Sequence, residues 1–73
     1  MATDVTAEDD RTRSVRSCLE SAEAWRQNAR YVRQHAARPH LDPQARTALL
    51  REAEASDRQA EWWVNEAEED RRR

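Results

Sequence analysis

Small and apolar residues recur at every seventh position along two stretches of this chain. In the first stretch Val15, Ala22, Ala29 and Ala36 form one series, and Cys18, Trp25 and Val32 form a second. In the second stretch the series are Ala53, Ala60 and Ala67, and Leu49, Ser56 and Trp63. Paired series of this kind mark the buried stripe of a helix that packs lengthwise on another helix.

The punctuation of the chain sets the element boundaries. Residues 1–5 read as a disordered tail, and Thr6 followed by Ala7, Glu8 and Asp9 reads as an N-cap with acids in the first turn. No Pro or Gly intervenes before Pro39, whose preceding residue is pushed out of the α region. Helix 1 is therefore predicted over about 7–37 and a turn over 38–42. Asp42-Pro43 restarts the chain with an N-cap and a proline at the first helical position. Helix 2 is predicted over about 43–70, with Arg71, Arg72 and Arg73 at the end where a helix favours cations. So short a connection forces antiparallel neighbours, and 6–73 reads as a single helical-hairpin domain.

Folding the chain back near residue 41 brings the two pairs of series into register. Ala22 falls opposite Ala60, Ala29 opposite Ala53, and Val15 opposite Ala67. In the second set Cys18 faces Trp63, Trp25 faces Ser56 and Val32 faces Leu49, so that each indole meets a small residue. Arg26 is placed beside Asp57, and Leu19 beside Val64. The architecture resembles the alanine-seamed type of antiparallel coiled coil, a likeness that implies a fold and no function. The fold class is all-α: an antiparallel two-helix hairpin, predicted to dimerise into a four-helix bundle.

Charge and composition sharpen this picture. Residues 11–38 carry seven Arg against two Glu, whereas residues 42–70 carry nine acids against three Arg. A basic helix thus faces an acidic one. The chain has thirteen Ala, no Gly, no Ile and no Phe. That favours helix strongly but leaves a thin core, because a chain of 73 residues seldom gains more than about 3–5 kcal/mol from its own interior. Thirteen basic residues, all Arg, fit the codon usage of a GC-rich bacterial genome. The start of the chain lacks a signal-peptide pattern, and its longest run of large apolar residues is Trp62-Trp63-Val64, far short of a membrane span. We expect a cytoplasmic protein.

The surface left over by the seam points to protein binding. Trp62 and Trp63 diverge by about 100° around a helix, so Trp63 in the seam leaves Trp62 outside it. Tyr31, Ala24, Ala48 and Ala55 lie on the same lateral side as Trp62 and make a second apolar stripe, the candidate interface. Aromatic anchors are enriched at such surfaces. Leu19, Leu50 and Val64 form a weaker strip on the opposite flank.

Candidate chemistry has simpler readings. His35 and His40 bracket the turn near Asp42, a donor set that could in principle bind Zn²⁺, but polar residues at an exposed helix end are the stronger reading. Glu20 is followed three residues later by Glu23, and Glu23 by Arg26, so the Glu-x-x-His pattern of di-iron bundles is absent. Cys18 is a lone cysteine and reads as a small core residue. Arg11, Arg13, Arg16, Arg26, Arg30 and Arg33 spread around helix 1 opposite an acidic partner, an arrangement unsuited to nucleic acid. Hairpins with a Trp-x-Gly turn share the outline, yet this chain has no Gly. The sequence thus predicts no catalytic residue, no cofactor, no metal and no small-molecule substrate. It predicts a non-catalytic interaction module that self-associates as a homodimer. The alternative is a small regulator, inhibitor or antitoxin-like adaptor that docks on a larger protein.

Overall fold

The structure, a computed structural model, describes residues 9–73. It comprises α1 (Asp10–Ala36) and α2 (Pro43–Arg72), packed side by side as an antiparallel hairpin. No strand occurs among the described residues.

The helix ends follow local chemistry. The tail over 1–5 and the start at Thr6 fall outside the described residues. The predicted onset near residue 7 is corrected, because α1 begins at Asp10. Asp9 is extended (φ −73°, ψ 167°), and its carboxylate accepts the Thr12 backbone N–H at 2.7 Å. These short-range bonds satisfy N–H groups that have no partner inside a helix. At the far end α1 stops at Ala36, and the carbonyls there gain an unanticipated partner. Arg46, in the second turn of α2, donates from Nε to the Ala36 carbonyl at 2.8 Å and from its terminal nitrogen to the Arg38 carbonyl at 3.0 Å. Asp42 caps α2 by accepting the Gln44 and Ala45 N–H groups, with Pro43 at the first helical position. His40 takes the sharpest step of the turn, with φ 66°.

The seam is built mainly from alanine. Ala22, Ala29, Ala36, Ala53, Ala60 and Ala67 are buried, together with Cys18, Val32 and Ser56. Ala29, Val32 and Ala53 form the core cluster, and half-buried Leu49 packs against it. Val15 is half-buried near the open end.

The two seam tryptophans are placed differently from the expectation. Trp25 is 37% exposed and Trp63 only half-buried. Alanines repeating along both helices fill the seam with small side chains, and Trp25 lines the groove beside it with Asn28 and Ser56. Ser56 lines one groove with Trp25 and also accepts a hydrogen bond from the Asn28 side-chain amide at 2.7 Å. Trp63 meets the ring of Trp62 edge-on, with centroids 4.9 Å apart. Arg26 lies beside Asp57 in one groove, but the ion pair to Asp57 comes from Arg33.

Candidate protein interface

A hairpin of two helices has two lateral flanks, and in this protein they differ sharply in chemistry. On one flank α1 presents Ser14, Ser17, Ser21, Ala24, Asn28, Tyr31 and His35, none of them Asp, Glu, Lys or Arg. The matching row of α2 is Ala45, Ala48, Glu52, Ala55, Gln59, Trp62 and Glu66. Trp25, Asn28, Glu52, Ala55, Ser56 and Gln59 line one shallow groove there, with Arg58 at its edge, which joins the rows of both helices into one surface. Two charges among fourteen positions contrast with a chain in which 38% of residues are charged.

The opposite flank is salted throughout. Arg26, Asp57, Glu61 and Val64 share a groove there. Arg30 donates to Glu23 at 3.0 Å, and that hydrogen bond holds the Glu23 carboxyl below its ordinary range. The hydrogen bond to Asp57 in turn raises the Arg33 pKa. Leu19 and Leu50 are exposed between these charges, at 39% and 41%.

The four Trp and Tyr residues belong to the less charged flank. Trp62 is 52% exposed and Tyr31 60%, and Trp25 joins them from the seam edge. The ring of Tyr31 meets half-buried His35 at 4.5 Å in an edge-on contact, which gives the tyrosine a defined orientation. Ala24, Ala48 and Ala55 are exposed around them. Trp62, Ala24, Ala48, Ala55 and Tyr31 are all exposed; Ala55 shares a groove with Trp25 and Trp62 touches Trp63, which adds Trp25 and Trp63 to the candidate surface. The sequence carried the signal for these two, since each stands one residue from a flank position, at Ala24 and Trp62.

No family model, characterised protein or solved structure matches the chain. Its functional reading therefore rests on the side chains themselves.

At the open end of the hairpin lies a polar cluster that sequence reasoning missed. Asp70 is 8% exposed and accepts hydrogen bonds from the Ser14 hydroxyl and, at 3.8 Å, from the Cys18 thiol. Arg73 pairs with its other oxygen at 3.2 Å. Burial, and then the Asp70 charge, push the Cys18 thiol pKa up. A thiol kept protonated is a poor nucleophile. The available signal was periodicity, because Asp70 stands seven residues after Trp63 and continues its series.

Other candidate chemistry stays dispersed. Among the described residues, no three of His, Cys, Asp and Glu gather in a way that could hold a metal ion. No buried side-chain nitrogen or oxygen among them lacks a hydrogen-bond partner. The largest depression, about 590 Å³, is an open trough beside Val15 and Leu19, edged by Arg11, Arg16 and Arg71. No helix is long and apolar enough to cross a membrane among the described residues.

Proposed function

We propose that this chain is a non-catalytic, cytoplasmic interaction module that self-associates through its aromatic, sparsely charged flank, two hairpins forming a four-helix bundle. One observation carries this reading: Trp25, Tyr31 and Trp62 stand exposed on a flank with two charges, while the other flank is laced with ion pairs. Exposed Trp and Tyr on a surface depleted of charge match the composition of interface cores. The thin alanine seam supports the same conclusion, since a small core gains stability when a second copy covers one side.

Sedimentation equilibrium tests the proposal. The wild type is expected at twice the chain mass, with Trp62→Ala and Tyr31→Ala each weakening the dimer at least tenfold. A monomer of full helicity at high concentration would defeat self-association. It would instead favour the regulator reading, in which Trp62 and Tyr31 engage a larger protein.

A further inference from the structure

We infer that the dimer, whose existence rests on the reading above, has its two-fold axis parallel to the helices. In this arrangement α1 of one hairpin lies over α2 of its partner and both turns sit at the same end. Three observations lead to this arrangement.

The first is extent. The 30 residues of α2 rise about 45 Å, and two adjacent helices are roughly 20 Å wide, giving a flank of about 900 Å². A stable interface buries about 800 Å² per partner, so one copy laid flat suffices. The second is charge. The α1 row of this flank is uncharged, and the α2 row holds Glu52 and Glu66, with Arg58 at the edge of the groove between the rows. An axis perpendicular to the helices lays α2 on α2 and brings the acid-bearing rows together. An axis parallel to them sets each acid-bearing row over an uncharged one.

The third observation is size matching. An axis along the helices permits no sliding, so the contact between copies inherits the register inside each hairpin. Within the hairpin, residues level with each other are equidistant from the fold-back point between Leu41 and Asp42, as Asn28–Ser56 and Ser14–Asp70 show to within a residue. Across the dimer, Trp62 then lies over the partner's Ser21, Tyr31 over the partner's Glu52, and Ala24 over the partner's Gln59. The large rings meet a small hydroxyl or a hydrogen-bond acceptor, and no acid meets an acid. A surface that is complementary to itself under one symmetry operation points to a second copy as its occupant.

Disulfide trapping decides the arrangement. In full-length chains carrying Cys18→Ser, one population bears Ala24→Cys and another Gln59→Cys, and sedimentation first establishes that each associates. Oxidising the mixture is expected to give a covalent dimer containing one chain of each kind, while neither population alone crosslinks. A covalent dimer from Ala24→Cys alone, or none from the mixture while the chains sediment as dimers, would overturn the arrangement but leave self-association standing. Monomeric sedimentation would remove both. Glu52→Gln adds an independent readout. Association should be unchanged or weakened, because the partner's Tyr31 loses a charged acceptor, and a tenfold strengthening would mean that acid meets acid.

Discussion

Asp70 shows how a single side chain changes character with its surroundings. On a solvated helix end it is one acid among several; in the folded hairpin it is 8% exposed and holds Ser14, Cys18 and Arg73 together. Cys18 is expected to react slowly with alkylating reagents at neutral pH and rapidly once denaturant opens the hairpin, a difference that thiol titration reads directly. The raised thiol pKa has a second consequence. The folded state holds the thiol proton more tightly than the unfolded chain, so this stabilisation is complete below the ordinary thiol value of 9.0 and is lost as pH rises above it. Urea melts at rising pH should show a decline that Cys18→Ser reduces. The alanines make the complementary case. Ala22 has 0% exposure and no space around it, so Ala22→Leu should cost about 1–3 kcal/mol by overpacking. Ala24→Leu, on the exposed flank, should leave the monomer's thermal melt nearly unchanged.

Each helix depends on its ends as well as on its packed face. Asp42 supplies two capping bonds to α2, and Asp42→Ala should cost about 1 kcal/mol in a chemical melt. In the turn, His40 holds a left-handed conformation that suits residues without a Cβ. His40→Gly is expected to stabilise the fold by less than about 1 kcal/mol, because relief of the steric penalty is partly offset by the greater freedom of the unfolded chain. The helices, the turn and the Asp42-Pro43 restart were legible because they rest on residues adjacent in sequence. The onset of α1 was misplaced because Thr6 and Asp9 are both good caps, and the sequence alone does not rank them. Arg46 escaped notice because its acceptors, the Ala36 and Arg38 carbonyls, become neighbours only after the chain has turned.

For the molecule as a whole, the tryptophans divide the labour between folding and association. Trp63 is half-buried, so Trp63→Ala should cost about 2 kcal/mol, below the ~3–5 kcal/mol typical of large aromatic truncations. Trp62→Ala should keep the helical circular dichroism at high protein concentration while shifting the monomer–dimer equilibrium toward monomer. Equal loss of helicity in both variants would contradict this division. What the sequence determined by itself was whatever follows from spacing along one chain: two helices, their antiparallel order, the alanine series of the seam and the side on which Trp62 and Tyr31 stand. Only the tertiary structure decided how deeply each seam position is buried. The alanines and Ser56 went under, Trp25 stayed 37% exposed in the groove that it lines with Asn28 and Ser56, and Asp70 was buried at the open end. Heptad spacing records which direction a side chain leaves its helix, whereas the space waiting there is set by every residue on the facing helix at once.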